Sequence, residues 1–462
     1  MLPVSSFVQQ ADGKMDTLLA LAAKLAAGTA TSRDLIEECL ARASGPEGEG
    51  ARVFTAISAA NARAAADGMD RLRQAGAAPS PFAGIPIGVK DLFDIAGEVT
   101  TAGSRVLAAN PPAEADACAV ARLRAAGFVI LGRTNMTEFA YSGLGLNAHF
   151  GTPRNPFDRS TGRIPGGSSS GAAVGIADGM FAAGLGTDTG GSCRIPAALC
   201  GIVGFKPTAQ RVPREGVVPL SSTLDSVGPL ARSVDCCAIL DAILSGGTAA
   251  AEAPFPLAGL RLGLPDCYVA EGMDDAVAAA FERAVSNLSA AGAKVVTLTL
   301  DMLKEIPGIN AKGGLVGAEA YAWHRQYLER SPQLYDPWVL QRFEAGRSQS
   351  AADYIATATA RRGMIARVAK VTACVDAVMM PTVPIVAPAI AAMAGTEVAN
   401  RTNLFLLRNP SLANFLDRCA ISLPCHRAGE PPVGLMLLGE HGADRRLLAM
   451  ARAVADVVPG KH

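Results

Sequence analysis

Apolar and polar positions divide the first third of the chain into strand-like and helix-like segments. GIPIGV (84–89) and FVILG (128–132) are short apolar runs of strand length, and the first of them ends at Lys90. Between them, residues 115–127 repeat apolar positions at helical spacing and end at a glycine, which is typical of helix C-termini. The pattern therefore predicts a strand, a helix and a second strand in succession.

A second unit of the same kind lies in the later half of the chain. GLRLGLP (259–265) and VVTLTL (295–300) are predicted strands, and a helix from Asp274 to Ala291 is predicted between them. Strands that alternate with helices indicate an α/β fold with a largely parallel or mixed sheet. The Gly- and Ala-rich segment 245–256 is predicted to be a surface connection between two portions of this fold.

Composition and charge narrow the classes of partner. Lys+Arg and Asp+Glu both number 42, so the formal net charge is zero. Because no long run of one sign stands out, the sequence suggests neither a nucleic acid nor a membrane surface as partner. The first residues lack the basic and apolar segments of a signal peptide, and apolar stretches are interrupted before membrane-span length, so we expect a cytoplasmic protein.

The ten cysteines are dispersed, with no CxxC pair and no His-rich companion motif, so we expect neither a zinc site nor a disulfide framework. Most are expected to be small buried hydrophobic residues.

The candidate chemistry lies between residues 163 and 207. A predicted strand (about 181–187) leads into a tight turn over residues 188–192, whose two glycines let backbone N–H groups approach a bound oxygen. A helix predicted just beyond the turn adds a positive dipole end. Such a turn can stabilise the oxyanion of an acyl transfer, and Ser192 is well placed to attack.

A serine nucleophile needs a base, and the histidines offer no good candidate. None of the five lies in a Gly-framed motif, and each is interpreted as a structural or surface residue: His149, His324, His426, His441 and His462. Lys90 is the better candidate, because a buried strand carries it to the sheet end, where α/β proteins place their sites. Burial among neutral groups would lower the pKa of its amine, although a solvated lysine at a strand end is the commoner case.

Two other serine-hydrolase motifs do not fit this sequence, because the residues that each requires nearby are absent. GSSSG (167–171) fits the G-x-S-x-G pattern, which would make Ser169 the nucleophile, but the pattern requires an apolar strand directly before it. The preceding residues read as a loop. No lysine in this region has a serine three residues before it, so the S-x-x-K arrangement is absent too.

Taken together, these residues resemble the amidase signature family. Its hallmark is a GGSSSG-type loop followed by a G-T-D-x-G-G-S-x-R-x-P turn, with a lysine on an upstream strand. Here the loop spans 166–171, the turn spans 186–196, and the lysine is Lys90. The resemblance continues through GFKPT (204–208), the segment 218–234, ISLPC (421–425) and PPVGLMLLGE (431–440), and so covers nearly the whole chain.

The resemblance implies a role for each matching residue. Ser192 would be the nucleophile, neutral Lys90 the ultimate base, and Ser168, on a cis peptide, the proton relay between them. The oxyanion hole would be formed by backbone N–H groups of Thr189, Gly190, Gly191 and Ser192, and the turn would be braced by Asp188 and Arg194. No metal or organic cofactor is needed.

The resemblance also implies one α/β/α sandwich around a large mixed sheet, forming a single amidase domain over residues 1–462. An N-terminal helical region would span about 1–65, the signature core about 66–245, and the substrate-pocket segments about 255–462. Such a hydrolase releases ammonia or an amine from a small amide. We expect a homo-oligomer, with a small helper subunit as a further expected partner.

The substrate is the most open part of the prediction. The segment 408–424 resembles allophanate and carboxybiuret hydrolases, and Tyr335 to Arg342 resembles the stretch that holds the substrate carboxylate in allophanate hydrolases, although it is one residue shorter. These features favour a carboxylated urea-type amide such as 1-carboxybiuret, while Arg342 as a surface helix residue is equally compatible. Residues 212–229 also fit indoleacetamide hydrolases. A glutamine-hydrolysing amidotransferase subunit is the alternative from another class.

Overall fold

The computed structural model describes residues 15–46, 48–247 and 255–458. The predicted connection at 245–256 lies largely outside these ranges, as do His462 and the first residues of the chain. Within the described ranges no helix is both long enough and apolar enough to cross a membrane.

Eleven described strands form one sheet, in the order β1-β3-β2-β4-β6-β5-β10-β11-β9-β7-β8. The strands are β1 (Phe54–Ile57), β2 (Pro86–Lys90), β3 (Val129–Thr134), β4 (Ala183–Asp188), β5 (Val203–Lys206), β6 (Ser226–Ala231), β7 (Arg261–Pro265), β8 (Lys294–Leu298), β9 (Ala377–Pro381), β10 (Ala420–Pro424) and β11 (Gly434–Leu438). Strand β2 runs parallel to both β3 and β4, whereas β4 and β6 are antiparallel. The predicted mixed sheet of an α/β fold is therefore confirmed.

Sixteen α-helices accompany the sheet in the described ranges. They are α1 (Leu18–Ala26), α2 (Ser32–Ala43), α3 (Gly50–Val53), α4 (Ala59–Gln74), α5 (Cys118–Ala125), α6 (Ser170–Ala177), α7 (Arg194–Cys200), α8 (Val234–Leu244), α9 (Asp275–Ala290), α10 (Ile306–Ile309), α11 (Gly314–Arg330), α12 (Pro337–Ala345), α13 (Ala351–Thr372), α14 (Thr396–Leu407), α15 (Pro410–Phe415) and α16 (Asp444–Ala455).

The predicted elements exist, and their ends move by a few residues for local reasons. Helix α9 matches the predicted helix because the Asp274 side chain accepts the N–H of Val277 as an N-cap. Strand β3 extends past the predicted end, because Thr134 still pairs with Lys90 of β2. Helix α5 begins at Cys118, three residues later than the apolar spacing predicts.

The core is filled mainly by aliphatic side chains, as the low aromatic content requires. All ten cysteines are free, and seven of them are buried. Their predicted role as small hydrophobic residues is confirmed. The carboxyl ends of β2 and β4 lie side by side in this core, and they carry the candidate site.

Candidate active site

Lys90 is the last residue of β2, and its side chain is 0% exposed. Its Nζ lies 2.8 Å from Ser168 Oγ and 2.9 Å from Thr187 Oγ1 of the neighbouring strand β4. It forms no ion pair with a carboxylate of the described chain. Lys90 is thus a buried amine held between two hydroxyl groups.

Burial lowers the pKa of the Lys90 amine to about 8, because the charged form loses its hydration. Opposing contributions come from Cys193, Asp188 and Asp225, which favour the charged form. The net result leaves a useful fraction of neutral amine near neutral pH, as a general base requires.

Ser168 lies in the loop before α6, and the Gly167–Ser168 peptide is cis, as the resemblance implies. Its carbonyl accepts the N–H of Thr137 at 3.1 Å, and its side chain is fully buried. Gly167 is required there, since a Cβ on it would lie 2.6 Å from the backbone nitrogen of Gly145. The loop therefore presents the Ser168 hydroxyl to Lys90 through close backbone packing.

The turn that carries Ser192 is tied to Asp188 at the end of β4. The Asp188 carboxylate accepts the N–H of Gly191 at 2.9 Å and the N–H of Cys193 at 3.1 Å. Gly191 has a φ of 131°, and a Cβ on it would lie 2.5 Å from Pro410 Cβ. The turn thus needs glycine at 191 for both conformation and space.

The four backbone N–H groups of the turn differ in whether they already have a hydrogen-bond acceptor. The N–H of Gly191 already donates to Asp188, whereas those of Thr189, Gly190 and Ser192 have no hydrogen-bond acceptor in the described parts of the chain. Three N–H groups are therefore available to an incoming oxygen. Gly191 differs from the expectation because the carboxylate that shapes the turn occupies its donor.

Asp188 and Arg194 form a fully buried ion pair, with 2.8 Å between Arg194 Nη2 and Asp188 Oδ1. Burial alone would raise the pKa of Asp188, but Arg194, Lys206 and Asn414 together outweigh it and the pKa is lowered. Asn414 of α15 bonds both partners, and the carbonyl of Pro410 accepts a further N–H of Arg194 at 2.7 Å. Helix α15 thereby fixes the turn from the other side.

A second carboxylate supports the turn, and sequence reasoning missed it. The Thr189 hydroxyl donates to Asp225, whose other oxygen accepts the N–H groups of Leu220 and Ser221 at 2.9 and 3.0 Å. Asp225 falls inside the segment 218–234 that carries the resemblance, which was the available signal. Thr187 was missed as well, although it directly precedes Asp188.

A cavity of about 890 Å³ opens onto the turn and is lined by Ser192, Thr189 and Gly190 at one end. The described residues around it include three arginines, Arg342, Arg401 and Arg408, and no aspartate or glutamate. A cavity of this composition favours a negatively charged ligand.

Arg342 of α12 reaches this cavity, and its guanidinium is stacked between two rings. The guanidinium carbon lies 4.7 Å from the ring centre of Tyr141 and 5.2 Å from that of Trp338. Its Nε has no hydrogen-bond partner and it forms no ion pair with any described residue. Burial lowers the pKa of Arg342, so this cation has lost solvent without gaining an acidic neighbour.

Tyr335, the other residue predicted to bind substrate, does not line the cavity. Its hydroxyl is 2.8 Å from His324 Nδ1, and its ring packs against Phe343 and Phe139 in an aromatic cluster behind Arg342. Tyr141 rather than Tyr335 lines the cavity. Tyr141 was missed, because nothing in its local sequence ties it to Arg342.

The described histidines lie away from Ser192, and none lines the cavity. His149 Nε2 is 2.8 Å from Glu138 Oε1, His441 Nδ1 is 3.2 Å from Asp417 Oδ2, and His324 and His426 are buried.

A buried lysine, a serine on a cis peptide and a serine in a glycine-containing turn therefore lie at one end of the sheet, and no described histidine lines the cavity beside them. Residues 34–448 match the family model described as Amidase, so the chain belongs to the amidase family, and it is an amide-hydrolysing enzyme of the amidase signature type.

The chain is similar in sequence to two bacterial proteins and in structure to a solved amidase. The chain is 38% identical to the 2-amino-5-chloromuconic acid deaminase of Comamonas testosteroni, over 87% of this chain and 88% of that protein. It is 36% identical to the 1-carboxybiuret hydrolase subunit AtzE of Pseudomonas sp. (strain ADP), over 94% and 96%. A solved amidase structure superposes with a TM-score of 0.87 at 32% identity, covering 96% of this chain and all of that one.

Proposed function

We propose that the protein hydrolyses a carboxylate-bearing amide through an acyl-enzyme on Ser192. The observation that carries the proposal is Arg342, a guanidinium without an acidic partner in the cavity that Ser192 lines. Guanidinium groups bind carboxylates through two parallel hydrogen bonds. Both relatives named above also act, by their names, on compounds that bear a carboxylic acid.

The acylation step uses Lys90 as the base and Ser168 as the relay. Ser192 Oγ bonds to the amide carbon while its proton passes to Ser168 Oγ, and the proton of Ser168 passes to the neutral Lys90 amine. The 2.8 Å contact between Lys90 Nζ and Ser168 Oγ supports this route. Thr187, at 2.9 Å from the same nitrogen, orients the amine.

The carbonyl oxygen becomes an oxyanion and is bound by the N–H groups of Thr189, Gly190 and Ser192. Gly191 serves the turn, as its N–H is held by Asp188. Asp188 and Arg194 brace the turn as a buried pair. Preorganised donors of this kind stabilise the tetrahedral intermediate without reorganisation during the reaction.

Collapse of the intermediate breaks the C–N bond, and the proton held by Lys90 returns through Ser168 to the leaving nitrogen. A water molecule then attacks the acyl carbon while its proton passes through Ser168 to Lys90. The bond between the acyl carbon and Ser192 Oγ breaks, the proton returns through Ser168 to Ser192 Oγ, and the carboxylic acid product leaves.

Arg342 anchors the substrate carboxylate. Tyr141 and Trp338 hold the guanidinium between their rings, and Tyr335 supports it indirectly by packing on Phe343, the residue next to Arg342. One small candidate of this substrate class is 1-carboxybiuret, which carries both a carboxylate and amide nitrogens.

Ammonia release by the purified protein over a set of amides tests this function. The set contains 1-carboxybiuret, biuret, allophanate, malonamate, indoleacetamide and glutamine. We expect carboxylated members to react with much higher kcat/KM than biuret or indoleacetamide. Preference for indoleacetamide would overturn the carboxylate proposal in favour of an aryl amidase, and preference for glutamine would favour an amidotransferase subunit.

The name of the carboxybiuret hydrolase relative marks it as one subunit of an assembly. It supports the proposal that this chain also works with a small partner subunit, in addition to forming a homo-oligomer. Light scattering of the purified chain is expected to give a mass above 47.3 kDa, and a monomer mass would contradict the homo-oligomer.

A further inference from the structure

The cavity is larger and more apolar than a carboxylated urea requires. Its volume is about 890 Å³, near the upper end of the ~300–1,000 Å³ range that accepts drug-sized ligands. Beyond the turn, its walls are largely aliphatic and aromatic, contributed by the segments around α10, α11 and α14. A compact polar substrate would leave these walls uncovered.

The apolar wall begins at the reaction centre. Leu407, the last residue of α14, lies so close to the oxyanion turn that a Cβ on Gly190 would be 3.4 Å from its Cδ2. An apolar group attached close to the scissile amide would therefore contact Leu407 while Ser192 attacks.

The wall continues along one face of α14. Arg401, Leu404, Phe405 and Arg408 have the spacing of a single helix face, and all four line the cavity. Phe405 packs under the guanidinium of Arg408, whose carbon lies 4.7 Å from the ring centre. The helix thus directs an apolar surface, edged by two cations, toward the ligand space.

Leu404 is 66% exposed although it belongs to this wall. No other large hydrophobic side chain of the described chain is as exposed, and only Ile355 of α13, at 62%, comes close. Since Leu404 borders the same cavity as Ser192, the ligand itself is the partner in position to cover it.

We infer that the substrate carries an apolar alkyl or aryl group next to its amide, in addition to an anionic group. The anionic part of this inference rests on the proposed function, and the apolar part rests on the cavity wall alone. The preferred substrate is accordingly an amphipathic amide, larger than 1-carboxybiuret.

Two homologous series of amides test the apolar group. One adds methylenes to the amide nitrogen of malonamate, and the other adds them to its central carbon, so that both sides of the scissile bond are examined. Burial of a methylene is expected to raise kcat/KM by about fourfold in at least one series, over the first few additions. A flat or falling kcat/KM in both series would overturn the inference.

Leu404→Asp and the matched surface variant Ile355→Asp locate the effect. The rise in kcat/KM per added methylene is expected to be smaller in Leu404→Asp and to keep its wild-type value in Ile355→Asp. An unchanged gain in Leu404→Asp would contradict the assignment of the wall to α14.

A third series of N-alkyl acetamides, which lack the carboxylate, separates the two proposals. A gain per methylene there, without any preference for malonamates over acetamides, would retain the apolar wall and reject the carboxylate anchor. A preference for malonamates without any gain would do the reverse.

Discussion

The groups around Ser192 come from strands β2 and β4, the turn after β4 and the loop before α6, whereas most of the outer cavity wall comes from residues 306–408. Lys90 contacts Ser168 and Thr187 through hydrogen bonds of 2.8 and 2.9 Å in a buried setting. Arg342 is held instead by stacking on Tyr141 and Trp338, without any ion pair.

In the proposed function, the groups around Ser192 perform the chemistry and the outer cavity recognises the substrate. The turn is fixed by a buried ion pair and by backbone hydrogen bonds, so small changes there should alter kcat. The side chains of the outer cavity wall supply none of the groups proposed to react, so changes there should alter KM and the choice of substrate. The four predictions below test that separation, beginning with the largest expected effect.

Ser192→Ala should lower kcat by about 10⁴-fold or more, because the acyl-enzyme can no longer form. The measurement is ammonia release from the best substrate of the amide set. Ser169→Ala is the matched control, since Ser169 is the nucleophile of the rival G-x-S-x-G reading and its Oγ has no hydrogen-bond partner among described residues. If Ser169→Ala abolished turnover and Ser192→Ala did not, the catalytic turn would be misassigned.

Lys90→Ala should lower kcat/KM by about 10²- to 10⁴-fold at neutral pH. In the wild type the base must be neutral, and its pKa is about 8, so kcat/KM should rise about tenfold per pH unit below 8 and level off above it. The midpoint of that profile should vanish in Lys90→Ala.

Lys206 gives a matched control for this profile. Burial also lowers its pKa to about 8, but its Nζ donates to the carbonyls of Pro207 and Arg418 rather than to a serine. Folded Lys206→Met should keep the midpoint near 8. If the midpoint were lost in Lys206→Met and kept in Lys90→Ala, the titrating group would be Lys206, and the assignment of Lys90 as the base would be wrong.

The geometry around Lys90 and Ser192 could be predicted because its determinants are local. A buried apolar strand places Lys90 at the carboxyl end of the sheet, and two consecutive glycines indicate the turn before Ser192. The contacts of Asn414 and Asp225 with the turn had no such local signal, although Asp225 falls inside the segment 218–234 that carries the resemblance. Asn414 is separated by 226 residues from the Asp188 that it bonds, and only the completed sheet brings them together.

The arrangement around Arg342 in the outer cavity, by contrast, could not be predicted from local sequence. A joint role for Tyr335 and Arg342 was predicted from the resemblance to the carboxylate-holding stretch of allophanate hydrolases. The packing of α11 against α12 instead places the Tyr335 hydroxyl on His324. Tyr141 comes from a loop about 200 residues upstream and lies against the guanidinium. Which aromatic residue faces the cavity depends on tertiary packing, and periodicity carries no information about it.

Arg342→Gln should raise KM for a carboxylated amide by about 10- to 100-fold, the loss expected for hydrogen bonds to a charged group. KM for a neutral amide should change little, and so should kcat, because Arg342 does not contact the turn. Arg347→Gln is the control, since Arg347 is exposed five residues further on and does not line the cavity. Equal effects of Arg342→Gln on both kinds of amide would reject the anchor.

Trp338→Leu should produce the smallest of these changes, about a 2- to 10-fold rise in KM for the carboxylated amide, because a cation–π contact of about 0.5–1 kcal/mol is lost and Arg342 gains freedom. Trp338→Phe keeps a ring beneath the guanidinium while losing the indole N–H that donates to Asn400 at 2.8 Å. KM should therefore stay near the wild-type value in Trp338→Phe if stacking positions Arg342. If Phe and Leu raised KM equally, the hydrogen bond to Asn400 on α14, rather than the ring, would be what positions the anchor.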